Sequence, residues 1–169
     1  MPNKAGKREA GGGKRGARPI SAPDRAGMEI ALDEARTAAG SHEVPVGAVV
    51  VRDGAVLARA HNETVRRCDP TAHAELLAIQ RALHAVGTDR LDDCTLYVTL
   101  EPCAQCAGAV VLAKVRRLVF GSFDDKAGMC GSVGDVVRHP KLNHRVEVQG
   151  GVRSAESSAL LTAFFQAKR

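Results

Sequence analysis

The stretch Thr95-Leu96-Tyr97-Val98-Thr99-Leu100-Glu101-Pro102-Cys103-Ala104-Gln105-Cys106 carries two patterns end to end. Thr95–Thr99 is rich in β-branched and aromatic residues, as strands are. Pro102 suits the first turn of a helix, where a missing N–H costs nothing. A strand handing over to a helix, followed by a second strand-like run at Arg117–Gly121, is the unit from which layered α/β folds are built. Upstream, Val44–Val51 is apolar on both faces, the mark of a buried strand. Arg52-Asp53-Gly54-Ala55 reads as a hairpin leading into a strand at Val56–His61. A loop holding Asn62 and Asp69-Pro70 precedes a helix predicted over Thr71–Val86, which Gly87 stops. At the start, Asp24 reads as the cap of a helix with an apolar stripe of Met28, Leu32, Ala35 and Ala39, ended by Gly40. Beyond the central unit, Gly128–Asn143 is loop-rich, with a short turn of helix predicted at Asp135–Arg138. Arg145–Gln149 is a fifth strand, and Ser154 opens a last helix bearing Leu160, Leu161, Phe164 and Phe165.

Charge and composition narrow the class. The chain has 169 residues and a formal net charge of +5. Six cations (Lys4, Lys7, Arg8, Lys14, Arg15 and Arg18) face one acid, Glu9, within residues 1–20, so the basic balance belongs to that segment and the remainder is neutral. Residues 1–23 read as a disordered basic arm dominated by Gly, Lys, Arg, Ala and Pro: a solvated extension, or a tether adding salt-sensitive affinity for nucleic acid. The rest of the chain reads as one domain, which at about 145 residues buries about two-thirds of its unfolded surface without disulfides. No apolar run approaches the roughly 18 residues of a membrane span, and no apolar segment succeeds the basic N-terminus as in a secretory signal. Five cysteines cannot all pair, and two form a Cys-x-x-Cys, which points to a reducing compartment and to metal or redox chemistry. Tyr97, Phe120, Phe123, Phe164 and Phe165 are the only aromatic residues, too few for a sheet face that stacks several bases.

Two segments carry the chemistry: His73-Ala74-Glu75 and Pro102-Cys103-Ala104-Gln105-Cys106. Cysteines three apart on a helix share a face and can reach one ion. The helix start favours thiolate, because its free N–H groups and dipole stabilise negative charge. His73 supplies a third, neutral ligand, and a nitrogen with two sulfurs is a zinc set with a fourth position left for water. Glu75 stands where it could serve that water without ligating. A closed structural site with Cys68, Cys94 or Cys130 as fourth ligand, and a redox pair, are the alternatives. Against the first stands the lack of a second Cys-x-x-Cys or His-x-x-x-His pair; against the second, the His-x-Glu partner, which a redox pair does not need. Glu101, next to the cysteine turn, is expected either to brace it or to form a salt bridge.

These segments resemble the zinc-dependent nucleobase deaminases, and within them the bacterial tRNA-specific adenosine deaminases. The resemblance rests on Glu43-Val44-Pro45-Val46-Gly47-Ala48, Asn62, Asp69 to Glu75, and Leu96 to Cys106 with Ala107-Gly108-Ala109. It continues through Gly131-Ser132 and Asn143 to Glu147 as far as Phe164-Phe165, covering roughly residues 24–167. It implies a three-layer cytidine-deaminase-like α/β fold over residues 24–169, with a central five-stranded mixed sheet flanked by helices. The implied activity is hydrolytic deamination of the wobble adenosine in a tRNA anticodon, an arginine tRNA. Glu75 would be the proton shuttle, and His73, Cys103 and Cys106 the ligands of one Zn2+ per subunit. Asn62, Val46 and Ala74 would meet the base, and Asn143, His144 and Arg145 the RNA. A cytoplasmic homodimer is also implied. Asp124, Lys126 and Gly128 match the family's loop after the fourth strand, whereas Met129 and Cys130 are bulkier than its usual residues. A deaminase of a free guanine or cytosine base or nucleoside, and a non-catalytic zinc-stabilised RNA-binding module, are the competing readings.

Overall fold

The computed structural model describes residues 18–168, so most of the arm expected over 1–23 lies outside the described residues. The elements run α1 (Ala22–Gly40), β1 (Gly47–Arg52), β2 (Ala55–His61), α2 (Ala74–Val86), β3 (Cys94–Leu100), α3 (Ala104–Leu112), β4 (Arg117–Ser122), β5 (Glu147–Gln149) and α4 (Ser154–Ala167). The strands form one sheet in the order β2-β1-β3-β4-β5. β1 is antiparallel to both neighbours, while β3, β4 and β5 run parallel. With α1 and α4 on one face and α2 and α3 on the other, this is the expected three-layer architecture.

The strand pleat sorts the side chains between two cores. Val49, Tyr97 and Val119 face α1, packing with Met28, Ala31, Leu32 and Val152. Their alternates Val50, Leu96, Val98, Leu118 and Phe120 face α2 and α3. Because both faces are covered, the first strand needs no polar alternation, and its sequence shows none. The hairpin turn falls on Asp53 and Gly54, at φ 49° and 80°, the left-handed pair that an Asp-Gly turn supplies.

Several local expectations shift. Ser21, not Asp24, caps α1: its hydroxyl accepts the Asp24 N–H at 3.2 Å, and the Asp24 carboxylate reaches back to the Ser21 N–H. Residues 21–23, read as arm, thus form the cap and first turn, and the helix runs through Gly40 to a cap at Ser41. Asp24 is buried instead and pairs with Arg117 at the start of β4. The predicted turn of helix at Asp135–Arg138 is reduced to a single turn, closed by the His139 N–H on the Val136 carbonyl at 3.2 Å, and no helix forms there. Asp135 bridges to Cys130, while Arg138 donates to the Asp135 carboxylate at 2.7 Å and to the Cys130 carbonyl at 2.9 Å, so the pair closes a loop. α2 begins at Ala74 rather than Thr71, because the Asp69 carboxylate takes the Thr71 N–H at 2.8 Å in a turn of its own. The last helix does start at Ser154 as expected, with Arg153, at φ 55°, as its N-cap.

Candidate metal centre and its pocket

β3 ends at Leu100, Glu101-Pro102 turn the chain, and Cys103 becomes the N-cap of α3 with extended backbone (φ −72°, ψ 178°). His73 holds the same place on α2 (φ −76°, ψ 149°). Neither side chain caps its own helix, so both are free where two helix starts converge beyond the end of β3. His73 Nδ1 lies 3.6 Å from Cys103 Sγ and 3.6 Å from Cys106 Sγ. All three ligating atoms lie within 4.8 Å of one another. Zinc bonds of about 2.3 Å to sulfur and about 2.0–2.1 Å to nitrogen, at a tetrahedral angle, set S and N about 3.6 Å apart, so the set fits zinc.

The two thiols are pulled in opposite directions. Hydrogen bonds from Cys106 and His73 hold the Cys103 thiol down at about 3, against the opposing effect of burial. The Cys103 sulfur and burial together push the Cys106 thiol up. Glu75, in the first turn of α2, is 4% exposed. Burial pushes its carboxyl up to about 7, opposed by its own backbone N–H and by His73, and it lies against the Cys106 thiol. Among the described residues no further His, Cys, Asp or Glu joins the cluster. The three cysteines that could have closed it are elsewhere: Cys68 is exposed, Cys94 Sγ meets Asp93, and Cys130 Sγ meets the Pro102 carbonyl.

Residues 23–169 match the model of the MafB19-like deaminase family. The chain is 49% identical over 144 residues to a tRNA-specific adenosine deaminase of Bacillus subtilis, covering 84% of this chain and 88% of that one. It belongs to the tRNA-specific adenosine deaminase family. A solved structure from a study of A-to-I editing by tRNA:A34 deaminases at the wobble position is 44% identical and superposes with a TM-score of 0.76, covering 80% of this chain and 99% of that chain. A guanine deaminase from Nitrosomonas europaea shares the architecture at 26% identity and a TM-score of 0.74, covering 89% and 88%.

The other expected residues of this deaminase take distinct places. Asn62 Oδ1 accepts the Ala74 N–H at 2.9 Å, so its acceptor is used internally and its NH2 group remains. Ala74 has no exposed surface, and its N–H is the donor that holds the Asn62 amide. Val46 is buried in the α2-side core, and its carbonyl accepts the Asn62 N–H at 3.1 Å. His144 Nε2 meets the Val115 carbonyl at 2.8 Å, tying the segment before β5 to the loop between α3 and β4. Asn143 accepts from Lys114 at 2.6 Å, and Arg145 is exposed.

Three buried carboxylates hold the loops around this pocket, two of which sequence reasoning passed over. Glu43 accepts the N–H groups of Val65 and Arg66 at 3.1 and 2.8 Å, and the Thr64 hydroxyl at 3.2 Å. Glu63 gathers Arg66, Arg67 and Arg81, which together overcome the cost of burial and hold its carboxyl at about 2. Glu101 braces rather than forming a salt bridge: it accepts N–H groups from Asp124, Cys130 and Ser132. Gln105 adds a tie across the mouth, donating to the Thr71 carbonyl at 2.9 Å. The run of arginines around Glu63 was the one signal in the sequence for such a hub.

Proposed function

We propose that this chain is a zinc hydrolase converting adenosine to inosine at the wobble position of a tRNA anticodon. The observation that carries the reading is a three-ligand cluster, open among the described residues, with the buried Glu75 carboxylate beside it. Bound there by His73, Cys103 and Cys106, zinc supplies Lewis acidity that lowers the pKa of water from about 15.7 toward about 7.

The chain's own groups manage the protons. C6 of adenine is a poor electrophile until N1 is protonated, and the amino group cannot leave as an anion. Glu75 takes a proton from the attacking water and delivers it to N1, then takes the second proton from the oxygen added at C6 and passes it to the departing nitrogen. The water oxygen ends on C6, the C6–N bond breaks, and ammonia leaves. Asn62, its carbonyl held by Ala74, offers its NH2 group to an acceptor on the purine edge. The Ala74 N–H thereby orients the amide. A base reaches such a pocket only after leaving its stack, which favours an unpaired loop nucleotide. An arginine tRNA as substrate, with exposed Arg145 at the RNA, and a cytoplasmic homodimer with one zinc per subunit complete the reading; these rest on the family resemblance.

The likeness to guanine deaminase keeps a free base as the second reading, at markedly lower identity. Incubating the protein with an anticodon stem-loop, and separately with adenosine, guanine and cytosine, distinguishes them. The expected result is inosine at the wobble position of the stem-loop, a loss of at least about 100-fold in Glu75→Gln, and one zinc per chain in both proteins. Conversion of the free compounds alone would overturn the tRNA assignment.

A further inference from the structure

Glu101 occupies an unusual place between two parts of the pocket. It stands two residues before Cys103 and is 2% exposed. Its Oε1 accepts the N–H groups of Cys130 and Ser132, both at 3.0 Å. Its Oε2 accepts the Asp124 N–H at 3.1 Å and the Ser132 hydroxyl. Four donors from the loop after β4 thus converge on one side chain of the turn after β3. The backbone repeats the tie: Glu101 N–H donates to the Ser122 carbonyl at 2.8 Å, and Met129 N–H to the Pro102 carbonyl at 2.9 Å. Gly128 leaves room for this wrapping, since a Cβ there would come within 2.4 Å of the Glu101 carboxyl carbon. The loop also returns to the turn that carries the ligands, because the Cys130 thiol meets the Pro102 carbonyl.

We infer that Glu101 is a positioning residue for the deamination: by fastening residues 122–134 to the turn that carries Cys103 and Cys106, it sets the shape of the cavity that receives the base. The inference rests on the proposed function of the same site and adds to it a residue that touches neither the ion nor the substrate. The carboxylate accepts all four bonds as an anion. A glutamine of the same size must turn an NH2 group toward two of those donors, so Glu101→Gln keeps the volume and breaks the fastening. Ser132→Ala removes one donor and leaves the carboxylate charged.

The test compares wild type, Glu101→Gln and Ser132→Ala by zinc content, amide hydrogen exchange, and steady-state kinetics on an anticodon stem-loop. For Glu101→Gln the expected result is one zinc per chain and exchange at Asp124, Cys130 and Ser132 faster by at least 10-fold. Its KM should rise at least 10-fold while kcat changes less, with Ser132→Ala in between. Faster loop exchange with unchanged KM would overturn the inference, since the fastening would then have no bearing on substrate. Should Glu101→Gln lose zinc or fail to fold, Ser132→Ala decides: a raised KM with full zinc supports the role, and wild-type KM overturns it. If wild-type protein makes no inosine, the proposed function fails instead; binding of the stem-loop, still measurable, then replaces KM as the readout.

Discussion

At the scale of single residues, the pocket rests on carboxylates whose charge state depends on what they touch. Glu75, with no cationic side chain bonded to it, is pushed up; Glu63, beside three guanidiniums, is pushed down. Glu63 has a folded pKa of about 2 against an ordinary 4.5. The folded protein holds the ionised form more tightly than the unfolded chain does, so its contribution to stability is complete above pH 4.5. That contribution is lost progressively as pH falls from 4.5 through about 2. Melting temperatures of wild type and Glu63→Gln should therefore differ most at neutral pH and converge across that window. The arginine partners are half-exposed, so salt should narrow the neutral-pH difference as well. A difference that stays constant down to pH 2 would show that packing, not charge, is what the substitution disturbs.

At the scale of elements, the fold depends on close approaches that the residue types permit. α1 crosses the start of β1 so tightly that a Cβ on Gly47 would fall 2.0 Å from the Ala31 carbonyl oxygen and 2.5 Å from the Ala35 nitrogen. Both are helix backbone and cannot step aside. Gly47→Ala should lift α1 from the sheet and cost about 3 kcal/mol or more, as overpacking against rigid neighbours does. Ser21→Ala, which removes one cap hydrogen bond, should cost about 1 kcal/mol. Urea unfolding of the two variants checks the order; equal losses would mean that the helix end and not the crossing limits stability. Elements were legible where the signal is local. The period of α1, the Asp-Gly hairpin and the Pro-Cys start of α3 all stand in short windows, and they appear in the fold close to where they are read. The misread ends come from polar side chains spent on other partners, some local, as Asp69 on Thr71, and some outside the window. Asp135 and Arg138 have helical spacing but bind Cys130; Asp24 has cap chemistry but is drawn inside by Arg117, 93 positions away.

At the scale of the whole molecule, the cluster joins two helices of one layer whose starts otherwise meet through packing and the Gln105–Thr71 hydrogen bond. His73 comes from α2 and the two sulfurs from α3, so a bound ion adds a link between two helices on the same face of the sheet. Any ligand that binds only the folded state stabilises it: saturation at 100 times Kd is worth about 2.7 kcal/mol, which in a domain of this size corresponds to about 5–10 °C in Tm. Chelation should lower the Tm by at least that much, and one equivalent of zinc should restore it. The same treatment of Cys106→Ala should change little. An unchanged Tm in the chelated wild-type protein would separate the cluster from folding.

What the amino-acid sequence determined alone was the set of parts: an α/β layering, a histidine and two cysteines suited to zinc, and a glutamate two residues from the histidine. Those are properties of short windows, set by backbone preference, hydrophobic period and ligand chemistry. Only the tertiary structure decided how the parts meet. It brought Nδ1 of His73 to 3.6 Å from sulfurs 30 and 33 positions away, left Cys68, Cys94 and Cys130 outside the cluster, and turned Glu43, Glu63 and Glu101 inward as anchors. A buried carboxylate must be satisfied by whichever donors the fold delivers, and distant donors leave no trace in the spacing of the residues around it.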